Sequence, residues 1–181
     1  MNDVASPDAY GALTEPTTLT IQRLLPGPIE RVWAYLTESD LRRQWLASGT
    51  MEMTVGASFE LVWRNDELTD PPGQRPPGFG AEHRMTSQII ELDPPRKLAF
   101  TFGTNGDVTF TLEPTGDPTG KRVLLTVVHR RLTDRAMLSK VSAGWHMHLD
   151  MLVARATGAT AAPFWDGWSR LHKEYEGRLS N

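Results

Sequence analysis

The stretch "GWHMHLDML" (Gly144–Leu152) sets two histidines and an aspartate inside an otherwise apolar run. Imidazole and carboxylate are side chains that bind metal ions or pass protons near neutral pH. Two ligands meet one ion on a regular helix when they stand three or four residues apart. His146 and His148 are two apart, which turns them about 200° from each other, so they cannot chelate one ion together. His146 and Asp150 have the i, i+4 spacing, but two ligands make a poor site without help. Neither a metal nor a cofactor is expected.

The same separation gives the histidines different surroundings. His148 falls on the side of Trp145 and Leu152 and is a candidate for the inner face. His146 groups with Asp150 and Val153 nearer the rim. In "RVLLTVVHRRL", His129 ends the alternating face Val123, Leu125, Val127. It is read either as a polar group on an interior wall or as an ordinary strand-end histidine. Approach of His129 and His148 across an interior would give a neutral proton-transfer pair near physiological pH. Spacing alone does not show that they meet.

The elements that would position these residues are legible from period. Residues 1–16 are polar and without period, and read as a flexible tail; 17–181 read as one domain. "TLTIQRLL" alternates as a first strand, and Pro28 opens a helix in "PIERVWAYL", where Ile29, Val32, Trp33 and Leu36 form one apolar face. "TESD" supplies cap residues for a second short helix, "LRRQWLA". The period then becomes two: Phe59, Leu61 and Trp63; Leu98, Phe100 and Phe102; Val108, Phe110 and Leu112. Residues 66–80 are rich in proline and glycine and read as a long exposed loop, with Asp66 and Glu67 solvated. Strand 82–92 has ambiguous facing. "TDRAMLSKVSAGWHMHLDMLVARATG" is a long helix capped by Thr133 or Asp134 and closed at Gly158. Its stripe is Met137, Val141, Trp145, Leu149, Leu152 and Ala156, with a kink or split expected at Gly144. A last helical segment follows. An antiparallel run followed by a long apolar helix implies an α+β fold in which a curved sheet grips the helix.

At 181 residues, the chain fits one domain with a sizeable core. Its net charge of −3 and lack of a basic stripe argue against nucleic-acid or anionic-membrane surfaces. Cysteine is absent, which excludes disulfides and thiolate chemistry. No signal peptide or membrane-length apolar run is readable, and a cytoplasmic protein is the default. P-loop, dinucleotide-type glycine and nucleophile-elbow motifs are missing.

"LPGPIERVWAYLTESDLRRQWL", "GASFEL", "IIELDPPRKLAFTF", "KRVLLTVVHRRL" and "GWHMHLDML" together resemble the START-like (SRPBCC, birch-pollen-allergen-like) superfamily. Within it they resemble the group named after the activator of heat-shock-protein-90 ATPase. The resemblance covers about Thr18 to Leu152. It implies the helix-grip fold, two short helices after the first strand, and an internal, mostly apolar pocket. Chaperone activators of that group carry a separate N-terminal domain where this chain has a short tail, which weakens the chaperone-linked reading.

Three functions follow as expectations. The first is binding of a small apolar or aromatic molecule, as carrier or sensor, in a cavity between sheet and long helix. Its lining would be Phe59, Leu61, Trp63, Phe100, Phe102, Phe110, Val127, His129, Trp145, His148, Leu149 and Leu152. Trp63, Phe110 and Trp145 are the stronger aromatic candidates, while Trp33 and Trp45 read as core. The second is an enzyme using the same cavity with His129, His148 or Asp150 as acid or base. The third is a protein-binding module. A homodimer through an exposed strand edge stays open.

Overall fold

In the computed structural model, residues 7–115 and 121–179 are described. The strands are β1 (Ala12–Glu15), β2 (Thr18–Pro26), β3 (Ser58–Trp63), β4 (His83–Asp93), β5 (Lys97–Thr101), β6 (Asp107–Pro114) and β7 (Arg122–Arg130). The helices are α1 (Ile29–Thr37), α2 (Ser39–Arg42), α3 (Arg135–Thr157) and α4 (Phe164–Arg178). The strands form one antiparallel sheet in the order β1-β2-β7-β6-β5-β4-β3. The long crossing from β2 to β3 carries α1 and α2. The helix-grip architecture is as expected.

Register explains which side chains face the helix. Val127 lies opposite Ile21 and Phe110, and His129 opposite Leu19 and Val108. Cross-strand partners share a face, so these residues build one buried wall with Leu125 and Leu112. The ambiguous strand resolves the same way: Ser87 opposes Phe59, Ile89 opposes Phe100, and both are buried.

Several expectations need correction. The supposed tail contains β1, because its backbone pairs with β2, Gly11 N–H donates to Tyr175 Oη (2.8 Å) and Arg23 donates to Ala9 O (2.8 Å). Residues 1–6 and 116–120, the latter within the expected turn 115–121, lie outside the described residues. The proline-rich segment is not simply exposed: it docks on α4. Trp165 N–H donates to Pro72 O, and Trp165 Nε1–H and Arg75 both donate to Asp66. Asp66, though its side chain stays partly exposed, is therefore a docking acceptor. Gly144 neither kinks nor splits α3, which runs unbroken. Finally, α3 is buried on more than one stripe. It packs between the sheet and α4, so Leu138, Ala143, His146 and Met147 are buried as well as Trp145 and Leu152, whereas Met137, Val141 and Trp33 are only half-buried.

The α3 ends follow local rules. The Asp134 carboxylate accepts from Ala136 and Met137 N–H at the N-terminus, and Gly158 takes a left-handed conformation at the C-terminus (φ 77°). No helix among the described residues is long and apolar enough to cross a membrane.

Candidate functional site

Most of the expected lining comes together as one aromatic layer between sheet and α3. From the β3 edge inward, the Phe59 ring meets Phe100 (5.5 Å between centroids), Phe100 meets Phe110 (5.6 Å), and Phe110 meets Trp145 of α3 (5.7 Å). Phe102 joins Trp63, His129 and Trp145 to the same layer. Val127, Leu61, Leu149 and Leu152 close the surrounding core, all buried. Edge-to-face contacts of this kind add to the area term that holds the layer.

His129 is fully buried at the end of that layer. Its Nε2–H donates to Asn105 O (2.7 Å), and its Nδ1 accepts from Trp145 Nε1–H (3.1 Å). Both ring nitrogens are thus used, and the carbonyl partner requires the Nε2–H tautomer. Burial lowers its pKa, partly opposed by the Asn105 carbonyl and by Asp107. A neutral ring is what this site holds.

His148 does not join it. Its Nδ1–H donates to Trp45 O (2.8 Å), and its ring packs on Phe164 of α4 (4.9 Å). The helix turns this side chain toward α2 and α4, so the two histidines are each engaged with other partners. Burial pushes its pKa down to about 4.

His146, expected near the rim, is buried, because Tyr10, just before β1, and Tyr175 of α4 pack on its ring. Tyr175 Oη accepts from Gly11 N–H, so its own proton is free for His146 Nδ1 (2.8 Å). The His146 Nε2 lies 3.6 Å from Asp150 Oδ2, and Asp150 Oδ1 pairs with Arg23 (3.0 Å). Burial pushes His146 down to about 4 and the Tyr175 phenol up to about 12. This cluster ties the N-terminal segment to α3 and α4. Among the described residues no group of acidic, histidine or cysteine side chains is arranged to hold a metal ion.

Two surface grooves lie outside the aromatic layer. One, ≈ 460 Å³, runs between β2, α3 and the α3–α4 connection, with Arg23, Met147, Asp150 and Arg170 among its walls. The other, ≈ 320 Å³, is bordered by Arg43, Ser48, Arg64 and Glu67. None of the expected lining residues borders either groove.

Arg23, Ser87 and Arg42 are among the buried polar groups that sequence reasoning missed. Arg23 is the polar member of the inward series Leu19, Ile21, Leu25, and that interruption was a readable signal of a buried ion pair. Ser87 would have been found had the facing of its strand been known. Arg42 left no such signal. It is 1% exposed and donates to Leu36 O, Thr37 O, Ala47 O and Gly49 O, with no carboxylate partner among the described residues.

The family described as "Activator of Hsp90 ATPase homolog 1-like protein" matches residues 26–157. A protein from Bordetella parapertussis, solved by solution NMR, is 34% identical, with 97% of this chain and 95% of that one covered at a TM-score of 0.76. CalU16 from Micromonospora echinospora shares the fold at 20% identity, over 91% of this chain and 89% of its own, with a TM-score of 0.64. DynU16, from the dynemicin biosynthetic locus, does so at 19% identity, over 81% and 50% of the two chains, with a TM-score of 0.59. No curated protein matches the chain.

Proposed function

Because this chain belongs to the Activator of Hsp90 ATPase homolog 1-like family, of the SRPBCC type, we propose that it binds a small apolar or aromatic molecule between sheet and α3, as a carrier or sensor. One observation carries the reading. The α3 backbone lies close against β2 and α4, while its approach to the β4–β6 side is made through rings, Trp145 against Phe110 and Phe102. A flat guest would replace ring–ring contacts there with contacts of the same kind. In this arrangement His129 has no ring nitrogen left for a proton transfer, which favours binding over catalysis.

Native mass spectrometry of freshly purified protein tests the proposal. A retained small molecule, lost when Trp145 or Phe110 is replaced by alanine, is the expected result. Uniformly empty protein, with tryptophan fluorescence unmoved by any member of a set of bicyclic apolar compounds, would overturn it.

A further inference from the structure

Ser87 is an exception within the aromatic layer. It is 2% exposed, and its Oγ has no hydrogen-bond partner among the described residues. Its β3 partner is Phe59, and cross-strand partners point to one side, so the hydroxyl faces the same space as the rings. A buried hydroxyl without a partner is unfavourable, and a bound molecule that supplies the missing hydrogen bond recovers part of that cost.

The surroundings limit what such a molecule can be. The buried side chains of β3, β4, β5 and β6 include no ionisable group. A charged guest would lose its hydration without compensation. A guest with no polar atom would leave Ser87 as it is. One strand-step from Ser87, Met85 is only half-buried, as is Phe102, and the Met85 thioether lies against Gly103 in the turn between β5 and β6. Methionine is an adaptable side chain, and Met85 with Phe102 marks where the layer comes nearest to solvent.

We propose that Ser87 is the hydrogen-bonding anchor of the ligand site, and that the ligand is an uncharged, flat, apolar molecule bearing one hydrogen-bonding substituent, admitted at the Met85–Phe102 rim. This rests on the binding reading above and goes further by naming the anchor and the class of guest.

Two probes of the same shape separate the claims: 1-indanone, whose carbonyl accepts a hydrogen bond, and indane, which lacks the oxygen. Calorimetry on the full chain should show Ser87→Ala weakening indanone about five-fold, as loss of one neutral hydrogen bond implies, and moving indane by less than about two-fold. The chain has no cysteine, so Ser87→Cys places a single thiol at the site. Its reaction with a disulfide reagent should slow when indanone is added, which reads occupancy without depending on the alanine variant. If both probes bind but Ser87→Ala changes neither, or changes both equally, the anchor is overturned and the binding reading stands. A thiol rate unchanged by bound indanone overturns the location. If neither probe binds the unaltered protein, the binding reading fails and the anchor with it.

Discussion

Arg42 places a guanidinium in the interior, where its partners among the described residues are carbonyl oxygens. Two of those carbonyls end α1 and two belong to the segment 47–49, so the side chain pins the α2 loop to the preceding helix. Desolvation lowers its pKa to about 10, still far above neutral, and the charge is kept. Arg42→Met should cost about 3–5 kcal/mol in urea unfolding, since four carbonyls lose a donor at about 1 kcal/mol each. Arg42→Lys should restore only part, because an ammonium has three donors and no planar fork. The histidines act at this scale too. His146 and His148 fold with pKa values of about 4, lowered from 6.5 by burial. As pH falls below about 6.5 the unfolded chain takes up protons that the folded one refuses. Their contribution is therefore full above 6.5 and is lost as pH drops toward 4, at up to ~1.4 kcal/mol per pH unit for each. Unfolding free energies measured from pH 7.5 to 4.5 should show that slope, and His148→Gln should flatten it. A pH-independent stability across this range would contradict the buried neutral state.

At the scale of elements, a single turn sets the histidine in the aromatic layer. Gly106 holds φ 86° in the turn between β5 and β6, and a Cβ there would lie 1.8 Å from Arg130 O. Only glycine lets this turn close onto β7, which brings the Asn105 carbonyl to His129. Gly106→Ala should destabilise the fold by about 2–4 kcal/mol, from the positive φ and the displaced strand end. The Nε2–H signal of His129, slow to exchange at neutral pH in the unaltered protein, should disappear from the imidazole region of the proton spectrum. The N-terminal strand depends on a different contact. Tyr175→Phe removes the acceptor of Gly11 N–H and the partner of His146. Hydrogen exchange should then speed in β1 and its β2 partners while β4–β6 keep their protection, because the tie joins only one edge of the sheet.

For the whole molecule, two helices and a sheet make three layers, with α3 in the middle. The central helix is thus held on both flanks, and the aromatic layer is the place where a guest can couple to global stability. A ligand bound only by the folded state adds RT ln(1 + [L]/Kd), about 2.7 kcal/mol at a hundredfold excess over Kd. For a chain of this size that corresponds to a rise in Tm of about 5–10 °C. A compound that protects the Ser87→Cys thiol should also produce that rise in the unaltered protein. Protection at saturating compound without a thermal shift would contradict binding to the folded state alone.

Much of the fold was legible because period reports burial locally. Alternation identified the strands carrying Phe59, Phe110 and Val127, and Asp134 and Gly158 delimited α3, since each signal acts within a few residues of its own backbone. The aromatic set was legible for the same reason: large rings at inward positions had to be buried together. Tertiary structure alone decided the rest. Whether His146 was rim or interior depended on Tyr10 and α4 closing over it from opposite ends of the chain. Whether His129 and His148 met depended on the carbonyls, of Asn105 and Trp45, that the packed fold sets against their nitrogens. The facing of Ser87 awaited a register between β3 and β4, and Arg42 awaited four carbonyls that come together only when α1 and the α2 loop have packed. Sequence determines which side chains seek the interior; only the assembled fold determines which polar groups find partners there, because those partners are distant in the chain.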